Sequence, residues 1–157
     1  MRKRIITPTP ETVRSRAEGW LDVEREAIVE ITSEDKDYPI ESAFVSREVG
    51  GWRAAVPGTQ TIRLVFDQPK RLKHISLIFE EKETMRTQEF VLRWSSDSDS
   101  SFREIVRQQW NFSPPEMVRE VEEYQVELLN VTTLELIIVP DISGGVARAS
   151  LKSLRLF

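Results

Sequence analysis

The sequence predicts an all-β chain, a jelly-roll sandwich of about eight antiparallel strands. Three observations point there. Between Thr61 and Trp94, three runs alternate apolar and polar residues: Ile62, Leu64 and Phe66, then Ile75, Leu77 and Phe79, then Phe90, Leu92 and Trp94. A period of two gives each strand one buried and one wetted face. The runs are bounded by residues with turn chemistry, Asp67-Gln-Pro-Lys after the first and the polar stretch Ser95–Ser101 after the third, whose side chains compete for backbone hydrogen bonds and suit reversals. Finally, Thr133–Val139 is a dense β-branched run that requires strand partners.

Taken in order, residues 1–9 read as a lead-in. Thr9 as N-cap, Pro10 in the first turn and Gly19 as terminator predict a short helix over Pro10–Ala17. The lead-in is assigned to 1–19 and the sandwich domain to 20–157, with Trp20 and Leu21 packing on the sandwich. Glu26–Thr32 is the first strand, with Ala27, Val29 and Ile31 on one face. Ser33–Pro39 is a polar loop, and Ile40–Val45 a short strand or an irregular crossing segment. Phe102–Phe112 is a strand with Val106, Trp110 and Phe112 in phase. Ser113-Pro-Pro-Glu116 has a capping-box pattern, and Tyr124, Val126 and Leu128 fit strand spacing. The preferred reading is at most a turn of helix near 115–120, then a strand from about Glu123. Asp141–Gly145 is a loop, and Ala147–Phe157 closes the domain.

Composition narrows the function. The chain has 157 residues, a formal net charge of −4, no cysteine and one histidine. Disulfides and thiolate or polyhistidine metal sites are excluded. An acidic balance with interspersed signs argues against broad nucleic-acid binding. No apolar run suggests a signal peptide or membrane span, so a cytoplasmic location is expected. No cofactor, metal or catalytic constellation stands out, and the expected role is binding rather than catalysis.

Several segments together resemble the discoidin, or coagulation-factor C-type, domain of the galactose-binding-like β-sandwich group. Val29–Phe44 resembles the family's opening strand and serine-rich loop. Trp52 stands where the family has a tryptophan before a strand like Thr61–Phe66. Phe90–Asp97 and Ala149–Leu156 resemble a strand entering a Ser–Asp turn and the closing strand. The resemblance implies a binding module. The acidic positions with which many members hold calcium correspond here to Val45 and Ser153, neither of which carries a carboxylate.

Strand parity groups the loops at 53–59, 81–87, 111–121 and 140–148 at one end of the sandwich. Loops held by a rigid scaffold commonly carry function. The candidate ligand-binding residues are therefore Trp52, Arg53, Arg86, Asn111, Asp141 and Arg148. An aromatic face with arginine, asparagine and carboxylate hydrogen-bonding groups suits a carbohydrate. The alternative is a protein partner or a homodimer, built on Ile78, Val91, Ile137 and Val139. These fall out of phase with the core of their strands and would form an exposed apolar face.

Overall fold

Alternating residues bury one side of each strand, and the result is two layers closed over a common core. The computed structural model describes residues 19–45, 50–96 and 101–157. The helix expected over Pro10–Ala17 and the turn around Asp97 and Asp99 lie outside the described residues. In chain order the elements are α1 (Val23–Glu26), β1 (Ala27–Ile31), α2 (Ser42–Val45), β2 (Trp52–Arg53) and β3 (Gln60–Glu80). They are followed by β4 (Arg86–Ser96), β5 (Arg103–Phe112), β6 (Arg119–Val139), β7 (Ser150–Leu151) and β8 (Ser153–Leu156).

Two strands organise the rest. The first half of β3 pairs with β1 and with the second half of β6, which in turn pairs with β4, and β4 with β5. The second halves reverse roles: Ile75–Glu80 of β3 pairs with Arg119–Tyr124 of β6 and, on its other side, with β8. One layer therefore reads β1-β3-β6-β4-β5 and the other β6-β3-β8, every pair antiparallel. Both long strands cross between the layers through register shifts, between Val65 and His74 on β3 and between Gln125 and Thr133 on β6. Asn130 adopts φ 56° there, a left-handed conformation that asparagine tolerates better than most residues.

The expected turn at Asp67–Lys70 is thus a bulged corner inside one continuous strand. A bulge bends a strand while keeping its neighbours paired. The register shifts between Gln125 and Thr133 make the matching corner on β6. Ile40–Val45, expected as a strand or crossing segment, instead ends in the four-residue helix α2. No helix forms near 115–120. Ser113 and Met117 hydrogen-bond to each other across a tight turn holding the cis Pro114–Pro115 bond, and β6 starts at Arg119.

Ile62, Leu64, Leu134 and Leu136 from one layer and Ile75, Leu77, Phe79, Leu154 and Leu156 from the other form a single buried cluster. Phe79 and Phe90 meet across the layers with ring centroids 5.1 Å apart. Leu21 packs on this core, and its N–H donates to the Leu156 carbonyl. Trp20 packs edge-on against Phe157 and His74.

The outer face of the five-stranded layer is polar where the inner face is apolar. Register places Glu30, Arg63, Glu135, Arg93 and Glu104 in one row across all five strands, with alternating sign. Glu135, only 1% exposed, accepts from both Arg63 and Arg93. Of the apolar face expected from Ile78, Val91, Ile137 and Val139, three members share the outer face of the five-stranded layer, with Val91 directly opposite Ile137 and Val139 on the same side of β6, while Ile78 does not join them. Ile78 lies on the other layer and is buried, Val91 is buried, and Ile137 and Val139 are half-buried. The corner in β3 removes Ile78 from the group by moving that strand's second half to the other layer.

Candidate functional site

A pocket of about 550 Å³ opens at the loop end of the sandwich, lined by three segments: 50–53 with Tyr38, 80–84, and 146–152. Each is fixed by a separate device. β2 pairs with β7, Trp52 opposite Leu151 and Arg53 opposite Ser150. Gly51, at φ 115°, lies so close to β7 that a Cβ would sit 3.0 Å from the Leu151 carbonyl oxygen. Glycine is what permits that approach.

The loop after β1 is stitched to β2 on its other side. The Asp35 N–H donates to the Arg53 carbonyl (2.8 Å) and the Arg53 N–H to the Tyr38 carbonyl (3.2 Å). Trp52 Nε1 donates to the Ser33 carbonyl at 3.0 Å. Trp52 is 1% exposed. It is a plug under the pocket and offers no face for stacking, so of the two readings its sequence position allows, plug and ligand platform, the structure has the plug. A large ring whose one polar atom is satisfied is more stable in the core than in water.

The 80–84 segment is the β3–β4 turn, and it folds around one carboxylate. Glu81 accepts the backbone N–H groups of Glu83 (3.1 Å) and Thr84 (3.2 Å), and Arg86 Nε at 2.7 Å. Burial opposes ionisation of Glu81, but the Arg86 bond and the two N–H bonds outweigh it and hold its carboxyl below the usual range. Arg86 is itself 3% exposed. Its Nη1 donates to the Pro140 carbonyl (2.7 Å) and to Gln88 Oε1 (3.3 Å), and its guanidinium lies 4.7 Å from the Phe112 ring centre. Gln88 passes the chain on to Glu120 at 3.2 Å. Glu120 is fully buried, and burial, aided by the neighbouring Glu122 carboxyl, pushes its pKa up to about 9.

Two of the six residues expected to bind come together in the pocket with free access. Arg53 is exposed, and its guanidinium lies over the Tyr38 ring at 4.8 Å. Arg148 is exposed and reaches Asp35 at 3.9 Å. Trp52 lies in the lining as the buried plug described above, and Arg86, Asn111 and Asp141 lie outside it. Arg86 is buried as described. Asn111 Oδ1 accepts from the Thr87 hydroxyl on the surface. Asp141 caps its own turn by accepting the Ser143 hydroxyl (2.7 Å) and N–H (3.1 Å), and the hydroxyl bond foremost lowers its pKa. Tyr38, Lys82 and Lys152 line the pocket and were not singled out from sequence. Tyr38 sits in Asp35-Lys-Asp-Tyr-Pro, which reads as turn residues alone.

The two positions that correspond to the calcium-binding acids carry no carboxylate in this chain. At the corresponding positions Val45 ends α2 and Ser153 is buried in β8, and neither supplies the carboxylates that calcium requires. Among the described residues no group of three or more His, Asp or Glu could hold a metal ion.

No known family's sequence profile matches the chain, and no curated protein matches it in sequence. Solved structures do match in fold. The family 32 carbohydrate-binding module of Clostridium perfringens NanJ, in complex with galactose, has a TM-score of 0.65 at 12% identity, over 88% of this chain and 97% of that one. The fold is the discoidin-like, galactose-binding-like β-sandwich. The F5/8 type C domain of a Bacteroides fragilis protein matches with a TM-score of 0.59 at 13% identity, over 88% of this chain and 95% of that one. A family 32 module of AlyQ, in complex with 4,5-unsaturated mannuronic acid, matches with a TM-score of 0.61 at 15% identity, over 88% of this chain and 97% of that one. The sandwich inferred from strand alternation and the family resemblance are both confirmed at the level of fold.

Proposed function

We propose that this domain is a non-catalytic carbohydrate-binding module and that its ligand occupies the loop-end pocket. The observation that carries the reading is the pocket itself. It is an open, polar cleft of about 550 Å³ with one exposed aromatic, Tyr38, flanked by Arg53 and Arg148. A sugar presents C–H patches and hydroxyls together, and it suits a site with an aromatic ring and a few fixed hydrogen-bonding groups. The floor supports this use. Trp52, the β2–β7 pair and the Glu81-centred turn hold the rim without help from ligand, so little ordering entropy opposes binding. Neighbours of the same fold bind galactose and an unsaturated mannuronic acid, which favours a saccharide over other polar guests.

The test is a glycan-array screen of the purified chain, followed by calorimetric titration of the hits with Tyr38→Ala and Arg148→Ala. Binding by the wild type that is lost in variants with unchanged melting supports the reading. Silence across the array, or binding that survives both substitutions, overturns it.

A further inference from the structure

The chain carries a net charge of −4, yet among the described residues the pocket lining collects four cations, Arg53, Lys82, Arg148 and Lys152, against three carboxylates, Glu80, Glu81 and Glu83. Two of those carboxylates are already engaged. Glu81 is held from beneath by Arg86 and by two backbone N–H groups. Glu80 faces Arg119, outside the lining, at 3.7 Å, and Lys82 at 3.9 Å. Both draw on cations behind the wall, but Arg148 is itself offset by Asp35 at 3.9 Å and Lys82 by Glu80, so the positive field of the lining rests chiefly on Arg53.

Arg53 is the group best placed to use that field. Its guanidinium lies over the Tyr38 ring, 4.8 Å from the ring centre, which limits the orientations open to it. It has no carboxylate partner among the described residues. A stacked, pre-oriented fork of N–H donors in a recess matches the two oxygens of a carboxylate. Arg148 stands on the 146–152 side, 3.9 Å from its one acidic neighbour, Asp35, a long contact that a closer anion could displace.

We infer that the pocket selects a sugar bearing a carboxylate, a uronate, and that Arg53 is the residue that reads the acid. This rests on the carbohydrate reading above and names the ligand class for the same pocket. Nothing is transferred or cleaved. The selectivity is a difference in binding between a carboxylate and a hydroxymethyl group at the same ring carbon.

That difference defines the experiment. Matched methyl glycosides, galactoside with galacturonide, mannoside with mannuronide and glucoside with glucuronide, are titrated into the full chain by calorimetry at low and at high salt. In at least one pair the acid is expected to bind about tenfold more tightly than its neutral partner, as a charge-assisted bidentate contact would give. The advantage should shrink as salt rises. Arg53→Gln is expected to bring the ratio close to one, and Arg53→Lys, which keeps the charge but loses the fork, to restore only part of it. Neutral sugars binding as well as their acids would overturn the uronate assignment and leave the carbohydrate reading standing. So would an equal gain from galactose 6-sulfate, which would show attraction for any anion. No binding by either member of any pair would overturn the carbohydrate reading itself, and this inference with it.

Discussion

Arg53 and Arg86 lie at the same end of the sandwich, and both were candidates for contact with a ligand. The structure gives them opposite environments. Arg53 is exposed on the pocket rim, stacked on one ring and free of any acid among the described residues. Arg86 is buried and ties together the Glu81 carboxylate, the Gln88 side chain, the Pro140 carbonyl and the Phe112 ring. One guanidinium is placed to meet a guest and the other to hold the wall that the guest would meet. Residue type and end of the sandwich are shared, and what separates them is the strand each starts from and the side it faces: Arg53 points outward from β2 and Arg86 inward from β4.

The largest effect is expected at Arg86. In Arg86→Met, Glu81 loses its buried counter-ion and the Pro140 carbonyl loses its donor. Breaking a buried ion pair from one side destabilises by about 3–5 kcal/mol. Urea denaturation should show a loss near the lower figure, since Glu81 is partly solvated. A loss below about 1 kcal/mol would mean that this arginine is no more structural than a surface one.

A second effect is expected from pH, through Glu120 at the far end of the same network. Its folded pKa of about 9 lies above its ordinary 4.5, chiefly because of burial. Between those values the folded state holds a proton that the unfolded state releases, so stability should be greatest on the acid side of this window and decline as pH rises through about 9. Glu81 acts in the opposite sense. Its lowered pKa contributes stability above the ordinary carboxylate value that is lost as pH falls. Thermal melts of wild type and Glu120→Gln from pH 6 to 9.5, a range chosen to span the approach to that pKa, should diverge, with the variant gaining relative stability at the alkaline end. Parallel curves would place the titrating proton elsewhere.

The smallest change in stability is expected at Arg53. Arg53→Gln should melt within about 0.5 kcal/mol of wild type, as exposed substitutions do, while losing ligand affinity. A substantial drop in stability would erase the contrast between the two arginines.

Much of the fold was legible because alternation survives wherever a strand has one dry side. Ile62–Phe66, Ile75–Phe79 and Phe90–Leu92 bury the residues their spacing predicts. The corners were misread as reversals because a bulged bend and a hairpin draw on the same turn chemistry, as at Asp67-Gln-Pro-Lys. Helix α2 spans four residues, too few for a 3.6-residue period to register. At the site, Arg86 could have been placed from the sequence. It is in phase with Gln88, Phe90 and Leu92, all of which face the core. Tyr38 could not, because its role depends on β2 coming to lie beside the 33–39 loop, a contact set by tertiary pairing rather than local pattern.

The two long strands have one further consequence. β3 and β6 each run 21 residues and belong to both layers. Neither layer can detach without breaking the backbone ladder of a strand that the other needs. Such an arrangement leaves no boundary at which part of the domain could open alone, so the described sandwich should behave as one cooperative unit. Amide protons of Leu64 in one layer and Leu77 in the other are then expected to exchange with solvent at a common, global rate, and the pocket floor inherits the stability of the whole domain.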